Sequence, residues 1–127
     1  MAVQVIVPPG TAKPVAPYSP GTKAGGVIYT AGIVAIDDAG KTVGIGDIKA
    51  QTRHVLDTIK AIVAAGGGSM KDVAVNHIFL KDYADYAGMN EVYREYFPSN
   101  PPARYCVRAD LVRAEWLVEI ASIAHVG

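Results

Sequence analysis

The sequence predicts an α+β fold in which one sheet carries two helices on one of its faces. Two segments repeat apolar residues at helical spacing, and the other ordered segments are short, β-branched and bounded by Gly, Pro or Asp turns. No change of composition and no linker divides the 127 residues. We therefore expect a single domain over residues 1–127, with the element order β-β-β-α-β-α-β-β.

The first third of the chain is predicted to form three strands and one long loop. The segment "VQVIV" (3–7) is the first strand, and five prolines keep the loop "PPGTAKPVAPYSPG" (8–21) from forming a helix. The segment "GVIYTAGIVAI" (26–36) and the turn "DDAGK" (37–41) predict two strands joined by a hairpin. Gly32 within this pattern indicates a bulge or a close approach of backbone.

Two amphipathic helices are predicted in the middle of the chain. The first begins after Asp47, a plausible N-cap, and ends at "GGG" (66–68); its apolar stripe is Ile48, Val55, Leu56, Ile59, Ile62 and Val63. The second begins near Asp82 and ends before Pro98, with a stripe of Tyr86, Met89, Tyr93, Tyr96 and Phe97. The remaining strands are "VAVNHIFL", "ARYCV" and "LVEIASIAHV".

Two helices cover only one face of such a sheet. The strands "GVIYTAGIVAI" and "LVEIASIAHV" are nevertheless apolar on both faces, and a monomer seldom exposes an apolar surface of that size. We therefore expect a homo-oligomer whose sheets meet, with a pocket at the seam.

Charge and composition exclude several classes of function. Twelve Lys and Arg balance twelve Asp and Glu, so no basic surface is expected to attract nucleic acid. Gly and Pro interrupt the apolar stretches, which are therefore much shorter than the roughly 18 to 20 apolar residues that a membrane span requires. The opening "MAVQVIVPP" does not resemble a secretory signal, and a single cysteine allows no internal disulfide, which agrees with an expected cytoplasmic location.

Arg104 and Glu119 are the strongest candidates for chemistry. Arg104, in "PPARYC", carries a planar fork of donors that matches a carboxylate, which could belong to the same chain or to a small acidic substrate. Glu119 lies inside the most strand-like segment, where burial would raise its pKa toward values useful for proton transfer. A structural ion pair between these two residues is the alternative.

The other candidates are weaker. Cys106 shares a strand face with Arg104 and is interpreted as a pocket-lining or core thiol rather than a nucleophile. Tyr18 is either a lid contact or a loop anchor, and Asn90 either caps a loop or touches a ligand. The three histidines, His54, His77 and His125, lack ligand spacing, so we expect no metal.

Five segments together resemble the reactive intermediate (enamine/imine) deaminase family, also called Rid or YjgF-like, along essentially the whole chain. They are "APYSPG", "GGVIYTAG", "QTRHVLDTIKAIVAAGGGSMKDV", "MNEVYREYFPSNPPARYCV" and "LVEIASIAHV". Within the family, the opening "VIVPPGTAKPVAPYSPGT" and the closing "LVEIASIAH" look most like the branch that acts on 3-aminoacrylate.

The resemblance implies a chorismate-mutase-like fold, a homotrimer with a barrel-like core of sheets, and active sites at the subunit interfaces. It places the carboxylate-binding arginine at Arg104 and the water-orienting glutamate at Glu119. It makes Gly32 a main-chain contact, and it assigns the remaining pocket positions to Tyr18, Asn90 and Cys106. The implied reaction converts 3-aminoacrylate to malonate semialdehyde and ammonia, in pyrimidine catabolism, without a cofactor.

Two segments depart from the pattern of many imine deaminases in the family. These are "DLVRAEW" (110–116), where others carry Leu-Pro, and "IVAIDDAG" (33–40). Both favour the aminoacrylate branch. A general 2-aminoacrylate or 2-imino acid deaminase and a non-catalytic binder of small carboxylates are the alternatives, and the neutral charge speaks against a ribonuclease.

Overall fold

A single seven-stranded sheet is the framework of the fold in the computed structural model, which describes residues 2–14 and 16–127. The strands are Gln4–Ile6 (β1), Gly21–Ala24 (β2), Val27–Thr30 (β3), Ile33–Val34 (β4), Val73–Leu80 (β5), Ala103–Arg108 (β6) and Val118–His125 (β7). Their order is β1-β2-β3-β7-β5-β6, and β4 also pairs with β7. Strand β6 comes last in this order and therefore forms one edge of the sheet. It pairs in parallel with β5, whereas the other pairs of these strands are antiparallel.

Two α-helices in the described part of the chain cover one face of this sheet. Helix α1 spans Ile48–Ala65, and the Asp47 side chain caps it by accepting a hydrogen bond from the Ala50 amide at 3.1 Å. Helix α2 spans Tyr86–Tyr96 and follows a 3-10 turn that Asp82 caps. Both helices lie where the apolar spacing predicts them.

The hydrophobic core lies between the helices and one face of the sheet. Every second side chain of β7 points into this core, and Val118, Ile120 and Ala124 among them have no solvent exposure. The α1 residues that pack against them are also completely buried, namely Val55, Leu56, Ile59, Ile62 and Val63. The predicted arrangement of one sheet with two helices on one face is confirmed.

The first third of the chain differs in detail from the expectation. Residues 21–24, "GTKA", form β2 between β1 and β3, although this segment lacks apolar alternation and begins at the end of the predicted loop. The predicted hairpin keeps its turn, since the Asp37 amide donates to the Lys41 carbonyl at 2.8 Å. Its return arm is only a bridge between Ile36 and Thr42.

The opposite face of the sheet, here called the open face, carries no helix. Tyr29, Tyr105 and Val107 on this face are 43%, 50% and 40% exposed, and Tyr105 contacts His77 of β5. The sequence predicted that one sheet face would be left uncovered, and it is. No described helix is both long and apolar enough to cross a membrane.

Candidate functional site

Arg104 projects from the edge strand β6 toward helix α2. It stands beside the buried Asn76 in the parallel register, which places both on the helix-covered face. Its Nη2 donates hydrogen bonds to Asn90 Oδ1 at 2.7 Å and to the Tyr86 hydroxyl at 3.1 Å. Within the Arg104 guanidinium, Nη2 is the only nitrogen that donates a hydrogen bond to a described residue, and no described carboxylate pairs with Arg104. Much of the fork is thus available to an external anion.

Two aromatic rings flank the same guanidinium. Its central carbon lies 4.7 Å from the Tyr93 ring centroid and 5.7 Å from that of Tyr86. Such contacts attract a cation without neutralising it. Arg104 therefore keeps its charge for a ligand while its position is restrained.

Cys106 follows Arg104 on the same face of β6 and packs at the margin of the core. Burial raises the pKa of its thiol, and the Arg104 charge offsets only part of this increase. A protonated thiol lines a pocket better than it attacks a substrate, which agrees with the interpretation from sequence.

Glu119 lies on the open face, opposite to Arg104. It alternates with the buried Val118 and Ile120 along β7 and stands beside Phe79 of β5. Burial raises the pKa of its carboxyl, and its carboxylate forms no hydrogen bond or ion pair with another described side chain. Because Arg104 and Glu119 project from opposite faces, they do not form the structural pair considered as the alternative.

Gly32 lies directly against Glu119. A Cβ atom at this position would be 2.9 Å from Cδ of Glu119 and closer still to one carboxylate oxygen. Only glycine lets the chain between β3 and β4 pass this close to the carboxylate. The close approach expected from the sequence is thus present, and its partner is a candidate catalytic group.

Tyr18 lies near the same region, on the proline-rich loop. It is 52% exposed, and it lines a small cavity of about 80 Å³ together with Gly32, Ile33, His54 and Thr58. The structure therefore brings Tyr18 and Gly32 to one cavity.

The six candidate residues form two separate groups within a protomer. The arginine group, made of Arg104, Asn90 and Cys106, lies on the helix-covered face at the sheet edge. Gly32 joins the glutamate group, made of Glu119, Gly32 and Tyr18, because it approaches Glu119 closely and lines the small cavity together with Tyr18.

Tyr86 and Tyr93 were assigned only to an apolar stripe, yet both contact Arg104. They and Asn90 follow the spacing i, i+4, i+7 on α2, which puts two phenols and an amide on one helix face. That polar content was the available signal. Within residues 2–14 and 16–127, no group of three or more His, Cys, Asp or Glu residues is arranged to hold a metal ion.

Comparison with known proteins shows the family of this chain. The model of the family described as endoribonuclease L-PSP matches residues 10–126. The chain belongs to this family, also called Rid or YjgF. The resemblance deduced from the sequence segments is thereby confirmed.

Individual Rid relatives match over their full length. The 3-aminoacrylate deaminase RutC of Acinetobacter baylyi is 55% identical over 126 residues, which cover 99% of this chain and 100% of the relative. A putative endoribonuclease from Thermotoga maritima has a TM-score of 0.90 at 32% identity, covering 98% of each chain. E. coli TdcF with bound serine has a TM-score of 0.89 at 29% identity, covering 98% of this chain and 99% of its own.

Proposed function

We propose that this protein is a hydrolytic deaminase of small enamine and imine carboxylates, and that its substrate is 3-aminoacrylate. The similarity to a 3-aminoacrylate deaminase over essentially the whole of both chains supports the substrate. The observation that carries the proposal is the guanidinium of Arg104, which is restrained by Asn90 and two rings but paired with no described carboxylate. Such a group matches a small carboxylate ligand.

The proposed active site is shared between two subunits of a homotrimer of single-domain chains. Arg104 and Glu119 lie on opposite faces of the sheet, so two copies are needed to bring one of each to the same cleft. Packing the open faces together would also bury the exposed Tyr29, Tyr105 and Val107 in a barrel-like core. The cytoplasmic location expected from the sequence stays a prediction.

In the first proposed step, Arg104 binds the substrate carboxylate through the nitrogens that Asn90 and Tyr86 leave available. Cys106 lines the wall beside it. Gly32 presents main-chain groups from the neighbouring subunit, and Tyr18 covers the cleft. These contacts hold the reactive end of the substrate near Glu119.

The reaction then needs only a proton and a water molecule. Protonation of 3-aminoacrylate at C2 converts the enamine to an iminium ion with a C=N bond at C3. Water adds to C3, and the resulting carbinolamine expels ammonia to leave malonate semialdehyde. Glu119 orients the water and accepts its proton, and burial raises the pKa of this carboxyl, which makes it a stronger base than an exposed glutamate. The scheme requires no cofactor.

The two candidate catalytic residues have separable roles, which provides the test. Arg104→Ala and Glu119→Gln would be compared for ammonia release from freshly generated 3-aminoacrylate, and for binding of the stable analogue 3-hydroxypropanoate by calorimetry. Arg104→Ala should lose both ammonia release and binding of the analogue, whereas Glu119→Gln should lose ammonia release and keep binding of the analogue. Arg53→Ala is the matched control, because Arg53 pairs with Glu95 on the outer surface. Wild-type turnover in both variants would refute the proposal.

A carboxylate-binding protein without catalysis is the second candidate, favoured by the same Arg104 geometry. E. coli TdcF is a relative that was solved with bound serine, which is a small amino acid. A wild-type protein that binds 3-hydroxypropanoate through Arg104 but does not accelerate ammonia release would support this function. The family description names an endoribonuclease, but the net charge of zero does not favour binding of a polyanion such as RNA.

A further inference from the structure

A buried chain of polar side chains lies beneath Arg104. Asn76 and Ser122, at 0% and 1% exposure, are the buried polar residues of the described strands. Asn76 Nδ2 donates to the Tyr93 hydroxyl at 2.8 Å, and the Ser122 hydroxyl donates to Asn76 Oδ1. The Ser122 amide in turn donates to the Thr30 hydroxyl at 2.8 Å. The chain thus runs from β3 across β7 and β5 to helix α2.

Burying these polar groups costs folding free energy that apolar side chains would not cost. Buried amide and hydroxyl groups stabilise a core only when every partner is present, and apolar side chains of similar size would fill the same space. Here the polar chain ends at a phenol whose ring lies against a cation. Tyr93 is 5% exposed, with Asn76 bonded to its hydroxyl and the Phe97 ring centroid 4.7 Å from its own. The ring is consequently fixed at its end and along its side.

We propose that Tyr93, held by Asn76 and Ser122, is a positioning residue that sets the orientation of the Arg104 guanidinium. This inference rests on the proposed function, since it concerns the group that binds the substrate carboxylate. Asn90 and Tyr86 hold only Nη2 and leave Nε and Nη1 without a hydrogen bond to a described residue. The face of Tyr93, 4.7 Å from the central carbon, restrains the whole group from one side. The other nitrogens then meet a carboxylate without first being ordered.

The other contacts of Arg104 do not replace this ring. Tyr86 is farther from the guanidinium at 5.7 Å and is 43% exposed, and its hydroxyl has no side-chain hydrogen bond among the described residues other than the one from Arg104 itself. Burial also raises the pKa of the Tyr93 hydroxyl, which keeps the phenol neutral at physiological pH. Tyr93 therefore offers an uncharged and immobile surface to Arg104.

The test compares Tyr93→Met with Tyr96→Met, which removes a second tyrosine of α2 that contacts Asp57 instead of Arg104. Tyr93→Met should raise both the KM for 3-aminoacrylate and the Kd for 3-hydroxypropanoate about tenfold, with kcat changed less than about threefold. Tyr93→Phe keeps the ring and should raise them about two- to threefold, and Tyr96→Met should stay within about twofold of wild type. A folded Tyr93→Met variant with wild-type Kd would overturn the proposal.

A second measurement reads the orientation directly, without substrate. The Nε proton of Arg104, identified by its absence in Arg104→Lys, should resonate upfield of that of the exposed Arg94 because the Tyr93 ring shields it. Tyr93→Met should abolish the difference and Tyr96→Met should preserve it. An unshifted signal in the wild-type protein overturns the proposal even if Tyr93→Met does not fold. If Arg104→Ala binds 3-hydroxypropanoate as wild type does, the proposed function fails. The chemical shift of the Arg104 Nε proton tests the positioning role independently of that result.

Discussion

Two inactive variants should restore activity when their subunits are mixed. Arg104→Ala removes the proposed carboxylate contact, and Glu119→Gln removes the group proposed to accept a proton from water. The two residues project from opposite faces of one sheet, so in the proposed trimer each cleft would take Arg104 from one subunit and Glu119 from the next. A mixed trimer therefore contains clefts in which both contributions are intact.

The size of the recovery follows from counting clefts. In a random one-to-one mixture, half of the subunits supply a normal Arg104 and the other half supply a normal Glu119. A given cleft then receives both with a probability of one in four, so the mixture should regain about a quarter of wild-type activity. The double variant Arg104→Ala/Glu119→Gln mixed with wild type should also give about a quarter, because an intact cleft needs two wild-type subunits.

The assay is ammonia release from 3-aminoacrylate by mixed assemblies. The variants are co-expressed at equal levels with one common affinity tag, so that mixed and unmixed trimers are purified together in their random proportions, and the subunit ratio is measured by mass spectrometry. Activity no greater than the sum of the two parents would contradict a shared site. If each site lay within one subunit, the double variant mixed with wild type would retain about half of the activity instead.

Three further outcomes are expected. Gly32→Ala should lower kcat at least about tenfold with little change in melting temperature, because the new Cβ meets the Glu119 carboxylate; a parallel loss of thermal stability would contradict this. The wild-type kcat/KM should decline as pH falls, with a midpoint above the ordinary Glu value of 4.5, since the raised pKa of Glu119 protonates this carboxylate earlier; a midpoint at or below 4.5 would count against its role. Asp47→Ala should cost about 1 kcal/mol of unfolding free energy in urea, through loss of its bond to the Ala50 amide, and Asp47→Asn should cost less.

Local chemistry made the helices and the central strands predictable. The apolar stripe from Ile48 to Val63 has helical spacing, and Asp47 and Gly66 provide recognisable ends. Strand β2 was not predicted because "GTKA" has neither β-branched runs nor alternation. It is a strand because β1 and β3 supply hydrogen-bond partners on both sides, which is a tertiary property.

The candidate site could be predicted by residue type but not by arrangement. The Arg104 fork and the Glu119 carboxyl in a strand are unusual in sequence and were both singled out. Their placement on opposite faces depends on how β6 and β7 register against β5, and local sequence does not determine this. Tyr93 was assigned to the core because a ring that faces a cation has the same helical spacing as one that faces leucine.

The most direct test of the account is ammonia release by the wild-type protein from freshly generated 3-aminoacrylate, run beside 2-aminoacrylate and the spontaneous reactions. The account predicts clear acceleration over spontaneous hydrolysis, and a higher kcat/KM for 3-aminoacrylate than for 2-aminoacrylate. Preference for 2-aminoacrylate would contradict the proposed substrate. No acceleration of either compound would contradict the deaminase function itself.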